Sequence, residues 1–302
     1  MVVNKVDYFL RKSIEENKSL GEIMIEHEME VQEVDKTAVI EAMMKIWTVM
    51  SNAIINGVQI TSRSPSGMSG GDAFKLINNR KNKSLCGSTI VNVVARAIGV
   101  AEFNSSMGTI VAAPTAGSSG VVPAVVFTVA EKCKATDEQI IKGLFASSLI
   151  GLICDARAST SGSEHGCQAE IGVATAMAAA AAVEIVGGTC SQAINAAAIA
   201  LKNSLGLACD PVAGLVEVPC IKRNGVMSAS ALVAADMALA GIESVIPFDD
   251  VVTAMNEIGR LMPCEIKETS EGGLANTKTA RGYKNWLRSS GSRQLLDAEE
   301  DE

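Results

Sequence analysis

Ser161-Gly-Ser-Glu-His-Gly-Cys-Gln-Ala-Glu-Ile-Gly-Val-Ala-Thr-Ala-Met-Ala-Ala-Ala-Ala-Ala-Val-Glu-Ile-Val186 decides the fold class. Its first part is a break of small and polar residues. From Gln168 it becomes a run dominated by Ala, the residue of highest helix propensity. Small side chains let neighbouring helices approach closely. The run could be taken for a membrane span, which needs about 20 strongly apolar residues. It is mostly Ala and contains Glu184, so a helix buried in protein is the better reading.

Outward from this helix the same periodicity recurs. Residues 20–58 carry apolar positions at spacings of three and four: Val39, Met43, Ile46, Met50, Ile54 and Val58. They predict a leading helical hairpin, its second helix capped by Asp35 or Thr37. Further helices are expected over 73–79, 89–100, 122–132, 137–155 (capped by Thr136 or Asp137), 189–207 (capped by Thr189 or Ser191), 227–241 and 247–262. Residues 1–20 read as polar and mixed in charge, 79–84 as a basic turn, 208–225 as a loop and 295–302 as a frayed acidic tail. Val111, Val121 and residues 125–127 could be short strands, but no period-2 run supports a sheet. The expectation is an all-α, mainly helical single domain over 1–302, with nine or ten helices and active-site loops rich in Gly, Ser and Thr.

Composition bounds the function. The 302 residues are 48% apolar and only 3% aromatic, so the core must be filled by Ala, Val, Ile, Leu and Met. A net charge of -8 argues against nucleic acid, whose phosphates are bound by clustered Lys and Arg. No basic stretch followed by an apolar one opens the chain, so no secretory leader is expected. Eight cysteines are then reduced thiols, in a cytoplasmic protein with no membrane association.

Two loops stand out. Thr61-Ser-Arg-Ser-Pro-Ser-Gly-Met-Ser-Gly-Gly-Asp72 can bring backbone amides close to a ligand, or be a flexible linker. Phe103 to Pro123 is a second Gly/Ser/Thr loop leading into a helix whose N-terminus could receive a carboxylate. Cys167, Cys209 and Cys220 each lie beside Gly or Pro at a helix edge. Their separations of 42 and 11 residues are not those of zinc knuckles or ferredoxins. Buried small hydrophobes and cluster ligands are both open readings. Three thiolates on a cluster that normally takes four would leave one iron with the open position a Lewis acid needs. Cys86, Cys133, Cys154, Cys190 and Cys264 sit in or beside helical segments and read as packing. His27, in a charged stretch, reads as solvated.

The chain resembles the alpha chain of iron–sulfur-dependent L-serine dehydratases. The resemblance rests on Ser69-Gly-Gly-Asp-Ala-Phe-Lys75, Met107-Gly-Thr-Ile with Pro114-Thr-Ala-Gly-Ser118, Gly166-Cys-Gln-Ala-Glu170, Cys209-Asp-Pro-Val-Ala-Gly-Leu-Val-Glu-Val-Pro-Cys-Ile-Lys-Arg-Asn224, Ala234-Ala-Asp-Met-Ala-Leu-Ala-Gly-Ile242 and Gly272-Gly-Leu-Ala275. It spans about residues 20–280. It implies a [4Fe–4S] cluster on Cys167, Cys209 and Cys220, deamination of L-serine to pyruvate and ammonia, and a separate beta chain. The open iron would bind the serine β-hydroxyl and ease its departure, hydroxide being a poor leaving group. The base for the α-proton is open among Ser64, Ser66, Ser69, Lys75, Lys222 and Glu170, with Ser66, Ser69 and Lys75 in front. Asn104, Thr115 and Ser118 are the expected contacts for substrate carboxylate and ammonium, or they satisfy the loop backbone. The family pattern has a small residue at His165, so no ligand role is implied there. Some single-chain relatives end in a cysteine that reaches the open iron; this chain ends Glu-Glu-Asp-Glu, so that self-inhibition is not expected. Threonine or cysteine as substrate, a non-catalytic helical subunit and a pyridoxal enzyme are the competing readings.

Overall fold

The computed structural model describes residues 5–79 and 84–291. Among them are thirteen α-helices and no strand, more helices than periodicity alone suggests. The central one is α9, Val173–Ile185, entered through a π-helical turn at Gln168–Gly172. Every residue of α9 is buried. Around it pack α6 (Val121–Cys133), α7 (Asp137–Arg157), α10 (Cys190–Lys202) and α11 (Cys220–Leu239). Gly143 shows how close the approach is. A Cβ there would stand 2.6 Å from the Ile185 side chain.

The outer helices follow from their apolar stripes and caps. In α2 (Leu20–Gln32) Ser19 and Glu22 form a reciprocal capping box, and α2 lies on α7. Asp35 caps α3 (Lys36–Gly57), accepting the Ala38 N–H at 2.9 Å. Thr136 and Thr189 form capping boxes with Gln139 and Gln192 on α7 and α10. α4 (Asp72–Asn78) and α5 (Gly87–Ser105) join α3 and α11 on one flank. Gly57 and Gly99 let α3 and α5 touch backbone to backbone, since a Cβ on Gly57 would sit 2.2 Å from the Gly99 carbonyl. A short α8 (Gly162–His165), α12 (Phe248–Leu261) and α13 (Lys278–Trp286) complete the set.

Several sequence expectations change. A first helix, α1 (Val6–Glu16), forms in the stretch read as polar, because Val6, Phe9 and Ser13 make a buried stripe. His27 is buried, not solvated, its ring edge-on to Phe9 with centroids 5.9 Å apart. α10 stops at Lys202 instead of continuing to 207, and Gly206 turns with a φ of +84°. α11 begins at Cys220, so that cysteine opens a helix and does not lie in a loop. Residues 121–127, an alternative strand, are helical. The expected basic turn at 79–84 and the acidic tail lie largely or wholly outside the described residues.

Three helices are long and apolar enough, by length and composition, to cross a membrane: Lys36–Gly57, Asp137–Arg157 and Gln168–Ile185. The last is enclosed by protein over 94% of its apolar window, as expected of a core helix.

Candidate active site

The three cysteines come from three segments that converge at one end of α9. Cys167 precedes the π-helical turn, a deformation frequent at functional sites. The Gln168 N–H donates to the Leu207 carbonyl at 3.1 Å, and its Oε1 accepts the Gly206 N–H at 2.9 Å. These bonds draw the Cys209 segment alongside. Cys209 itself bridges residues 266–268: its N–H donates to Ile266 and its carbonyl accepts from Glu268, at 2.9 and 2.7 Å. Cys220 is the first residue of α11, where a helix N-terminus favours a thiolate.

The thiols are close enough to repel one another as anions. Burial raises the Cys167 pKa to about 11, with Arg223 opposing it. Burial, then repulsion from Cys167, takes Cys220 to about 12. Cys209 is raised by burial, then by Glu170 and Cys167. Glu170 joins them: the Cys209 Sγ lies 3.5 Å from its Oε2. Burial raises its pKa too, opposed by the Thr115 hydroxyl. Gly162 allows this crowding, since a Cβ there would lie 2.4 Å from Glu170 Oε2 and 3.0 Å from Cys209 Sγ.

Thiols are the donor type that an iron–sulfur cluster takes. Thiols must lose protons to ligate, and a cation supplies the charge that makes this favourable. Among the described residues, no three His, Cys, Asp or Glu stand close enough to hold a single ion. A tetrahedral ion with bonds of ~2.3 Å needs its sulfurs about 3.8 Å apart.

The serine loop folds onto the segment between Cys209 and Cys220. Buried Glu217 is the anchor. Its Oε2 accepts the Ser64 hydroxyl at 2.7 Å and also the Ser69 hydroxyl. Ser66 Oγ lies 3.1 Å from Ser64 Oγ, and Ser105 Oγ 3.4 Å from Ser69 Oγ. Asn104 precedes Ser105 in the last turn of α5 and is half-buried. A cavity of about 290 Å³ adjoins this array, walled by Val212, Val218, Leu274 and Tyr283.

Other named residues make contacts of their own. Lys75 and Lys222 are exposed and grip opposite oxygens of Asp72, Lys75 at 2.9 Å. Ser118 closes its own turn, donating to the Ala113 carbonyl at 3.3 Å beside Thr115. His165, the last residue of α8, is buried against α12 with Nε2 2.8 Å from Asn256 Oδ1. Glu217, Asp210 and Arg223 were not singled out from the sequence. The signal available was a lone acid between two valines, within the motif that joins two of the cysteines.

A family model described as "Serine dehydratase alpha chain" matches residues 15–275. Over 264 residues the chain is 50% identical to the "Probable L-serine dehydratase, alpha chain" of Bacillus subtilis (strain 168), covering 87% of both chains. It is 49% identical over 199 residues to the "L-serine dehydratase, alpha chain" of Peptoniphilus asaccharolyticus, 66% of this chain and 68% of that one. It is 37% identical over 276 residues to the longer "L-serine dehydratase" of Streptomyces coelicolor, 89% of this chain and 60% of that one.

Proposed function

The chain belongs to the serine dehydratase alpha chain family, and from that premise we propose that it deaminates L-serine by dehydration to pyruvate and ammonia, using a [4Fe–4S] cluster held by Cys167, Cys209 and Cys220. The observation that carries this reading is the convergence of the Cys167, Cys209 and Cys220 thiols with Glu170. When bound, the cluster supplies a Lewis acid that eases departure of the substrate β-hydroxyl.

The remaining work falls to the chain's own residues. The Ser64–Ser69–Glu217 array is the proton-handling group. Ser69 Oγ takes the α-proton of the substrate while its own proton passes to Glu217 Oε2, the triad arrangement of nucleophile and base used here for proton transfer. The Thr115 hydroxyl, which points to Glu170, orients the bound amino acid beside the thiols. Val212, Val218 and Leu274 give the cavity apolar walls. The aminoacrylate product needs no further protein group to hydrolyse.

The word "alpha chain" in the relatives' names supports a second, beta chain as partner. Eight free thiols suit a reducing compartment such as the cytoplasm. Serine is preferred to threonine or cysteine on the relatives' names. A single methyl in a pocket is worth only about 1–3 kcal/mol, so all three belong in the assay.

The test is anaerobic purification of the chain with its partner subunit, iron and sulfide counting, electron paramagnetic resonance with and without L-serine, and a pyruvate assay. A cluster signal that changes on adding L-serine, with pyruvate formed and lost in air, is expected. A colourless, air-indifferent protein, or a cluster signal blind to serine, rejects the reading.

A further inference from the structure

Arg223 touches the surroundings of all three cysteines at once. It lies one turn along the helix that Cys220 opens. Its Nη1 donates to the Ala208 carbonyl at 2.7 Å and its Nη2 to Asp210 Oδ1 at 3.0 Å, so it holds the residues on both sides of Cys209. The same guanidinium stands near enough to the Cys167 thiol to act on it by charge. The Arg223 and Asp210 side chains are only 18% and 6% exposed. Among the described residues Arg223 is the cation that this cluster of acids faces most directly.

Asp210 extends the chain of contacts. Its second oxygen accepts the Leu274 N–H at 2.8 Å. Gly273 makes this possible with a φ of +57°; a Cβ there would lie 2.5 Å from Asp210 Oδ2. One guanidinium thus joins the Cys209 and Cys220 segments, and one carboxylate ties that guanidinium to the C-terminal loop.

We propose that Arg223 is a positioning residue of the cysteine cradle: its fork joins the Cys209 segment to the helix that Cys220 opens, beside Cys167, before a cluster enters, and its charge then sets the potential of the bound cluster. A planar bidentate donor fixes geometry as well as charge, which a lysine cannot do. A nearby cation and a hydrogen bond to a ligand sulfur raise a cluster's reduction potential, while a nearby anion lowers it. Arg223 and its partner Asp210 should therefore pull in opposite directions.

The inference rests on the iron–sulfur reading above, and the experiment separates the two. Wild type, Arg223→Gln, Arg223→Lys and Asp210→Asn are reconstituted anaerobically as the full chain with its partner subunit. Iron and sulfide per chain, and the midpoint potential by paramagnetic resonance titration, are measured. Far-ultraviolet circular dichroism of the apoproteins checks folding. Arg223→Gln should load less than half the wild-type iron, and its residual cluster should have a more negative potential. Arg223→Lys should load poorly but keep a near-wild-type potential. Asp210→Asn should shift the potential positive, which also tests the charge pairing if the Arg223 variants do not fold. Full loading and an unmoved potential in Arg223→Gln, or shifts of the same sign in Arg223→Gln and Asp210→Asn, overturn the inference. Wild type that binds no iron overturns the iron–sulfur reading itself.

Discussion

Ser64 and Glu217, 153 residues apart in sequence, are joined by a 2.7 Å hydrogen bond inside the protein. Glu217→Ala leaves the buried hydroxyls of Ser64 and Ser69 without their acceptor. Each unsatisfied group costs about 1–3 kcal/mol. Stability by urea unfolding should fall by at least that amount. Pyruvate formation should drop on the order of 100-fold or more, the usual contribution of a positioned proton acceptor. Glu217→Gln, which keeps an acceptor oxygen, should recover most of the stability and little of the activity.

Replacing Cys167, Cys209 or Cys220 by Ser should remove iron and the visible absorption of anaerobic preparations while preserving helix content. Cys133 is exposed and free, so Cys133→Ser should change neither. Equal iron in all four variants would contradict the assignment of ligands.

Gly162→Ala places a methyl 2.4 Å from Glu170 Oε2 and 3.0 Å from Cys209 Sγ. Both must shift. Iron loading should decline although no ligand has been removed, and thermal unfolding of the apoprotein should change little.

Glu184 predicts a pH dependence of stability. Burial raises its pKa above the ordinary 4.5, against the Ser19 hydroxyl and the Gly21 N–H that bond to it. A group whose folded-state pKa is raised contributes its stability fully below the unfolded value and loses it as pH climbs through the folded value. Relative to Glu184→Gln, wild type should therefore be favoured most near pH 4 and progressively less toward neutrality. Denaturant titrations between pH 4 and 8 that run parallel for the two proteins would dismiss this.

Gly57→Ala meets the Gly99 carbonyl at 2.2 Å, and backbone cannot rotate aside. Overpacking of this kind costs about 1–3 kcal/mol. Tm should fall by roughly 2–4 °C for each kcal/mol in a chain of this order of size. Gly282 in α13 has no atom within 4 Å of its Cβ position, so Gly282→Ala should be neutral or slightly stabilising.

The helices were legible because their signals are local. The caps at Asp35, Thr136 and Thr189, and the alanine run of α9, each act within a few residues. α1 is hard to read from sequence because charged residues surround a stripe that only Val6, Phe9 and Ser13 define. Prolines at 211 and 219 make the stretch before Cys220 read as a loop, whereas Pro219 is the residue before the helix. The convergence of the cysteines was suggested by resemblance and by their glycine-rich or proline-rich settings. Glu217, Asp210 and Arg223 were not foreseen. A lone acid in an apolar motif gives no hint of hydroxyls contributed by a loop some 150 residues earlier, and a guanidinium that bonds a carbonyl leaves no pattern in the sequence. His27 was misjudged for the same reason: its charged neighbours are visible, whereas Phe9 is not adjacent to it.

α9 has protein on every side and side chains that are mostly a single methyl. Such a rod has no slack. Enlarging any one of its methyls pushes on a neighbouring helix, and through that helix on the mount of Cys167 at its end. A saturation mutagenesis screen should therefore find this stretch among the least tolerant in the chain, although none of its residues takes part in a chemical step. Intolerance there would record the stiffness of an axle, and should not be taken as a map of the catalytic groups.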